Sequence, residues 1–273
     1  MSEEDLVLYE TDGKVGIVTL NRPDKLNAIN VPLRLAAMAA LTRADEDLDT
    51  RVVLLRGAGR AFCVGYDIGA EDPEKAKWKH DPLKWREYLH ESCAFEMKPW
   101  DMKKPVIAQV QGYAVGGGCE IAMFCDLTIC SEDAKFGEPE VRFSGVGPAL
   151  IMPFIIGHKR ARELLYMGDM INAETAKDFG MVNRVVPAAD LEASARKLAQ
   201  RMALVDPEAL NGTKLGLRRA AEATGLRNGI LNGVDIVSIM YAVETESGTQ
   251  FKEITKKDGL GAALKWRGDQ FKE

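Results

Sequence analysis

The run Arg51–Gly57, RVVLLRG, places four apolar residues side by side. Successive side chains of an extended strand point to opposite faces, so a run of this kind needs cover on both faces of its sheet. PVIAQVQGYAV at 105–115 is a second buried strand, and DLTIC at 126–130 returns as a third. A helix is predicted from about Val31 to Asp47, on apolar positions at helical spacing, and another from Gly116-Gly117-Gly118 through Glu120 to about Cys125. Ahead of these lie two short β runs, LVLYE at 6–10 and VGIVTL at 15–20, whose link Thr11-Asp12-Gly13-Lys14 reads as a hairpin turn. The rhythm is that of an α/β fold.

The charged segment 71–104, with Trp78, Trp85 and Trp100, reads as a loop followed by a helix and is the expected place for a substrate lid. Its tryptophans either shape a pocket or pack the helix, and packing is the favoured reading. Beyond Ala149 the only strand signal is the short MVNRVV at 181–186. Amphipathic helices are predicted at 158–168, 172–179, 188–203, 206–222 and 226–246. No Ser/Gly linker divides the chain, so the helical tail should pack on the core or on a neighbouring subunit.

Bulk properties exclude several classes of function. Hydrophobic residues make up 46% and charged residues 28% of 273, which is ordinary for a folded globular chain. Lys+Arg number 36 against 41 Asp+Glu, a net charge of −5, and no basic block stands out, so nucleic acid is not an expected partner. MSEEDLVLYE lacks the features of a secretory signal, and no stretch approaches the roughly twenty apolar residues that span a bilayer, so a cytoplasmic protein with no membrane partner is expected. The five cysteines form no CxxC pair and the three histidines no ligand-spaced pair, which leaves a metal site unsupported.

Chemistry is suggested by two glycine-bearing turns after buried strands: Ala61-Phe62-Cys63-Val64-Gly65-Tyr66-Asp67 and Gly116-Gly117-Gly118-Cys119-Glu120. Such turns let a ligand approach the backbone, and a helix starting there aims free N–H groups at it. Neither turn has the spacing of a dinucleotide or P-loop motif. Glycines alone could equally serve tight strand–helix packing. Glu120 lies three residues after Gly117, on the same side of the helix. A second acid, Glu140, closes Phe136-Gly137-Glu138-Pro139-Glu140. Two carboxylates around one electrophilic centre can divide the work of activating water and delivering a proton.

Together these pieces resemble the enoyl-CoA hydratase/isomerase (crotonase) family over nearly the whole chain. The matching segments are NRPDKLNAIN at 21–30, RAFCVGYDI at 60–68, KKPVIAQVQGYAVGGGCEIAMFCDLTI at 103–129, AKFGEPE at 134–140 and GHKRARELLYMGDMINAETAKDFGMVNRVVP at 157–187. The resemblance implies an α/β, crotonase-like spiral of β-β-α turns over residues 1–200, carrying the acyl-CoA site. It implies a helical C-terminal trimerisation region over 201–273, and hence a homotrimer or homohexamer. The backbone N–H groups of Tyr66 and Gly117 would form an oxyanion hole for the thioester oxygen. Coenzyme A, as part of the substrate, would run past Lys25, Leu26 and Ala28 and past Asp67 and Ile68. No metal or redox cofactor is implied.

Glu120 and Glu140 match the two glutamates of the hydratases, which points to addition of water to a trans-2-enoyl-CoA. Alternatives within the family are dehydration of a substituted acyl-CoA such as carnitinyl-CoA, double-bond isomerisation and thioester hydrolysis. A non-catalytic CoA-binding oligomeric module is a further alternative, against which the two glutamates argue. The chain departs from the straight-chain pattern at Tyr66, commonly a small residue, and after Glu140, where Val141-Arg142-Phe143-Ser144-Gly145-Val146-Gly147-Pro148 replaces a proline and a glycine pair ahead of Thr-Gln. Arg142 could meet a polar acyl group, but an ordinary surface or subunit contact is the favoured reading. Lys265, Trp266, Arg267 and Phe271 are similar to a C-terminal segment that can reach a neighbouring CoA site; basic residues at a helix end also suit the dipole.

Overall fold

The computed structural model describes residues 6–69 and 73–272. It opens on the predicted hairpin: β1 (Val7–Asp12) pairs antiparallel with β2 (Val15–Leu20), Asp12 opposite Val15, leaving Gly13 and Lys14 as the turn. α1 (Val31–Glu46) is capped by the Asn30 side chain, which accepts from the N–H of Leu33 and satisfies a donor left free at the helix start. β3 (Val52–Gly57) lies parallel to β2. Three helices follow, α2 (Pro73–Trp78), α3 (Pro82–Glu96) and α4 (Lys98–Asp101), where a loop and one helix were expected. Residues 71 and 72 of that expected loop lie outside the described residues.

β4 (Val106–Val110), β5 (Tyr113–Val115), α5 (Gly117–Phe124), β6 (Leu127–Ser131) and β7 (Lys135–Gly137) continue the path. The single strand expected over 105–115 is therefore two, turned at Gln111-Gly112. Gly112 has φ +59°, and a Cβ on it would collide with the carbonyl of Arg60, so only glycine fits that corner. A 3-10 turn at Pro139–Phe143 leads to α6 (Met152–Ile156), α7 (His158–Met167), β8 (Ile171–Asn172), α8 (Ala173–Asp178) and β9 (Arg184–Val186). The tail is α9 (Leu191–Met202), α10 (Pro207–Ala223), α11 (Leu226–Tyr241), α12 (Glu246–Asp258) and α13 (Leu260–Asp269). The helix expected over 226–246 stops at Tyr241, because Thr245 turns extended and caps α12 through the N–H of Gly248.

The strands form a six-stranded sheet ordered β1-β2-β3-β4-β6-β9 and a three-stranded sheet ordered β5-β7-β8. In the large sheet every pairing after β1·β2 is parallel. After the hairpin, the circuits that begin at β4 and β6 each lay a strand in the large sheet, cross to β5 or β7 in the small one and return through helix. Cys63 joins the small sheet through an isolated bridge to Ala114. This is the expected spiral of β-β-α turns.

The continuous apolar runs follow from cover on both faces. Val15, Ile17, Val52, Leu54, Ile107 and Ile129 pack against Leu191, Ala195 and Leu198 of α9. Val18, Leu20, Val53, Leu55, Val106 and Ala108 face the other way, into the larger core with α1, α3 and α5. Trp78 and Trp85 stack edge to face with centroids 5.0 Å apart, and Trp85 meets Tyr241 at 4.9 Å, so these tryptophans pack α2 and α3 against α11. Among the described residues, no helix is long and apolar enough to cross a membrane.

Candidate active site

Three stretches of backbone converge at the start of α5. Ile29 N–H donates to Gly65 O at 2.7 Å and Asp67 N–H to Ile29 O at 2.9 Å, while Val115 N–H donates to Cys63 O at 3.0 Å. Gly65, with φ +80°, lies so close to the next turn that a Cβ on it would stand 2.9 Å from Val115 O and 3.2 Å from Gly117 N. The two glycine-bearing turns are thus side by side. Among the described residues, neither the N–H of Tyr66 nor that of Gly117 donates to a backbone carbonyl. Gly117 is the first residue of α5, where helix geometry leaves N–H groups free and the dipole favours negative charge.

Glu120 is fully buried on α5, its Oε1 accepting from Ala149 N–H at 3.1 Å. A Cβ on Gly147 would stand 2.5 Å from that same oxygen. The loop after Glu140 therefore closes over Glu120 with glycine where the carboxyl passes. Glu140 is half-buried in the 3-10 turn, and its carboxyl occupies the space a Cβ on Gly116 would need. One oxygen of each carboxyl, Oε2, is buried without a hydrogen-bond partner. Burial first, and the neighbouring Glu140 second, push Glu120 up to about 8, and burial pushes Glu140 up to about 7. The pair thus shares protons around neutrality, titrating as a unit.

Two more buried glutamates, which the sequence reading did not single out, stand in the same cluster. Glu96, at the end of α3, accepts from the Tyr66 hydroxyl at 2.7 Å. A Cβ on Gly117 would lie 2.8 Å from the Tyr66 ring and 3.0 Å from Glu96 Oε1, so both side chains lie against the helix start. Glu138 is buried with neither carboxyl oxygen partnered. Burial, then repulsion from Glu120, raises both well above the usual range. The helical phase carried a signal for Glu96, since Leu89, Cys93 and Glu96 share the buried face of α3.

The residues expected along the coenzyme path lie on the neighbouring turns. Lys25 and Ile68 are exposed, Leu26 and Asp67 half-buried, and Ala28 buried. Leu26 and Asn27 both take positive φ, 52° and 57°. Asn27 makes this conformation possible: its Nδ2 reaches the carbonyls of Ala58, Ala61 and Phe62 at 2.9, 2.9 and 3.1 Å, and its Oδ1 accepts from Arg22 N–H at 2.8 Å. Arg22 donates to Ala28 O and pairs with Asp67, both at 2.8 Å, which ties the two segments together. The Asp67 carboxylate is therefore used within the protein. Arg22 and Asn27 fall in the matching segment 21–30, but the sequence reading did not single them out.

Arg142 bonds to Met167 O at 2.7 Å, pairs with Asp169 and lies 4.3 Å from the Phe271 ring centroid. It makes contacts within the chain that reach the tail, where an ordinary surface or subunit contact was the favoured expectation. Arg267 donates to Arg142 O, Phe143 stacks on Phe251 at 5.1 Å, and Ser144 meets Ser247 and Thr245 at 2.9 and 2.8 Å. α12 and α13 thus cover the turn that carries Glu140. All five cysteines are buried and free, and among the described residues no group of three His, Cys, Asp or Glu is placed to hold a metal ion.

The family model for enoyl-CoA hydratase/isomerase matches residues 10–258. A probable enoyl-CoA hydratase of Mycobacterium bovis is 33% identical over 270 residues, covering 98% of both chains. A crotonyl-CoA hydratase of Syntrophomonas wolfei is 32% identical over 277 residues, covering 99% of both. The crystal structure of an enoyl-CoA hydratase/isomerase from Xanthobacter autotrophicus Py2 superposes with a TM-score of 0.93 at 35% identity, covering 98% of this chain and 99% of that one.

Proposed function

The chain belongs to the enoyl-CoA hydratase/isomerase family, and from that premise we propose that it is a hydro-lyase adding water to a trans-2-enoyl-CoA, with Glu120 and Glu140 as its acid–base pair. The observation that carries the reading is the placement of both carboxyls around the start of α5. Glu140 fills the space above Gly116, Glu120 projects from the following turn, and two free N–H groups lie between the glycine turns.

The thioester oxygen sits between the N–H groups of Tyr66 and Gly117. Glu120, ionised, takes a proton from water as the water oxygen bonds to Cβ. The electron pair of the double bond moves onto the thioester, giving an enolate whose oxygen the two donors hold. Glu140, protonated, then delivers its proton to Cα, leaving a 3-hydroxyacyl-CoA. Donors fixed before the reaction stabilise charge as it develops, and losing one typically costs on the order of 100- to 1000-fold in rate. The chemistry needs no redox or metal cofactor.

Coenzyme A runs past Lys25, Leu26 and Ala28 on one side and Asp67 and Ile68 on the other, with the Arg22–Asp67 pair holding the two walls in register. Residues 1–200 carry the site and 201–273 build a homotrimer or homohexamer. In support, Ile236, Ile239 and Val243 remain at least 60% exposed at the end of α11 and just beyond it. A cytoplasmic setting suits an acyl-CoA substrate. Loss of enoyl-thioester absorbance on mixing with crotonyl-CoA tests the activity directly.

A further inference from the structure

We propose that the side chains of Tyr66 and Glu96 form a clamp that sets the spacing of the two oxyanion donors, the N–H groups of Tyr66 and Gly117. Both are positioning residues, and the inference rests on the oxyanion reading of those two N–H groups.

The two donors belong to different segments. Ile29 bonds to Gly65 and Asp67 on either side of Tyr66, so the Tyr66 N–H faces away from that pairing. Gly117 opens α5, and the residue before it is tied to the small sheet, Gly116 N–H donating to Gly137 O at 2.8 Å. Among the described residues, no backbone hydrogen bond joins 65–67 to 116–118; the nearest link, Val115 N–H to Cys63 O at 3.0 Å, stops short of both donors. The distance between the donors is therefore left to packing and to side chains.

The Tyr66 ring lies on Gly117. A Cβ there would stand 2.8 Å from Cε2 and 3.3 Å from Cδ2 of the ring, and 3.0 Å from Glu96 Oε1. Gly117 is not in the positive-φ class, so what its missing side chain supplies is room for the ring and the carboxyl. The Tyr66 hydroxyl donates to that same Oε1 at 2.7 Å. Its far end is thereby fixed to the last residue of α3, inside the fully buried stretch Phe95, Glu96 and Met97. Ring packing alone lets a tyrosine slide along the surface beneath it, and a hydrogen bond at the hydroxyl removes that freedom.

Burying a carboxyl is costly, and Glu96 Oε2 lacks a hydrogen-bond partner, so stability is a poor account of a glutamate at this position. Service as the acceptor for Tyr66 accounts for it. Oε1 can accept from the hydroxyl in either protonation state of the carboxyl, so the clamp does not depend on charge. Donors stabilise an enolate oxygen only when they lie at hydrogen-bond distance and in line with it. A clamp on their spacing therefore acts on the rate more than on coenzyme binding.

The carbonyl stretch of a bound, non-reacting thioester reads the donors without turnover. Butyryl-CoA isotope-labelled at the thioester carbonyl is the probe, followed by infrared difference spectra. In wild type the two hydrogen bonds should lower the carbonyl band below that of free butyryl-CoA. Tyr66→Phe and Glu96→Met should each lose part of that downshift, while Glu96→Gln, whose amide oxygen still accepts from the hydroxyl, should keep it. Hydration of crotonyl-CoA should follow: kcat falls roughly tenfold in Tyr66→Phe and in Glu96→Met with KM little changed, and the double variant is no slower than either. A role in stability alone would lower the melting temperature and leave the band in place. Full downshift in Tyr66→Phe, or as great a loss in Glu96→Gln as in Glu96→Met, overturns the clamp. A band unshifted in wild type overturns the oxyanion reading and the clamp with it. A band shifted in wild type and relaxed in Tyr66→Phe supports the clamp even if crotonyl-CoA is not hydrated, an outcome that would sink the hydratase reading alone. If Glu96→Met does not fold, Tyr66→Phe beside Glu96→Gln decides.

Discussion

The carboxyl of Glu140 occupies the space that a side chain on Gly116 would fill. Gly116 also holds φ +55°, ψ −129°, a conformation open essentially only to glycine. This glycine is thus fixed twice, by its own backbone and by the acid beside it. Gly116→Ala should cost about 1–3 kcal/mol in stability. It should also lower kcat by roughly 100-fold or more, since the displaced Glu140 would lose the position from which the proposed chemistry has it protonate Cα. Thermal unfolding and steady-state kinetics on the same preparation separate the two effects.

Gly147 stands in the same relation to Glu120, a Cβ there lying 2.5 Å from Oε1. Its backbone angle is not in the positive-φ class, so Gly147→Ala should fold with less penalty than Gly116→Ala. It should lower kcat by roughly tenfold or more with KM little changed, because in the proposed chemistry the displaced group acts on water and not on the coenzyme.

The pH dependence follows from the shared protons of the pair. The proposed chemistry needs one ionised and one protonated carboxyl. Glu140 is raised to about 7 and Glu120 to about 8, so between those values the form with Glu120 ionised and Glu140 protonated is the minor tautomer of the pair, and kcat/KM should describe a narrow bell with its maximum there and its height set by that minor form. A flat profile from pH 6 to 9 would contradict this assignment.

Glu138 gives a stability test that needs no substrate. Its folded-state value is raised above the ordinary carboxyl value of 4.5, so the native protein binds this proton more tightly than the unfolded chain does. The stabilisation is complete at low pH and lost as pH rises toward the folded value. Glu138→Gln removes that loss. Its advantage over wild type should grow by up to about 1.4 kcal/mol for each pH unit above the unfolded carboxyl value, until the folded value is reached. Denaturant midpoints at pH 5, 7 and 9 measure it.

Asn27 binds three carbonyls and one N–H while wholly buried. Asn27→Ala should destabilise the protein by about 2–4 kcal/mol, because two of the carbonyls it leaves, those of Ala61 and Phe62, are buried too. It should also raise KM for the acyl-CoA, since the segment 25–28 loses its anchor.

Much of this arrangement was legible in the sequence. Runs such as Val52–Leu55 are apolar at every position because both faces are covered, and that pattern needs no tertiary knowledge to read. The glycine turns with Glu120 and Glu140 were legible as an ordered set. The break at Gln111-Gly112 was not, because both strands flanking it are apolar and the corner is set by contact with Arg60, far away in the sequence. Glu96 was hidden for a related reason: a glutamate in a charged helical segment looks solvated until the helix phase places it beside Cys93 on the core side. The tail helices α12 and α13 carry few buried residues, and what holds them is polar and aromatic contact with residues 142–144. Periodicity does not report such contacts.

The paired-carboxyl chemistry is tested most directly by the absorbance of crotonyl-CoA at the enoyl-thioester band, with wild type beside Glu120→Gln and Glu140→Gln. Rapid loss in wild type that falls by roughly 100- to 10,000-fold in both variants is the expected result. Wild-type rates in either variant, or no turnover by wild type despite tight binding of coenzyme A, would contradict hydration by Glu120 and Glu140.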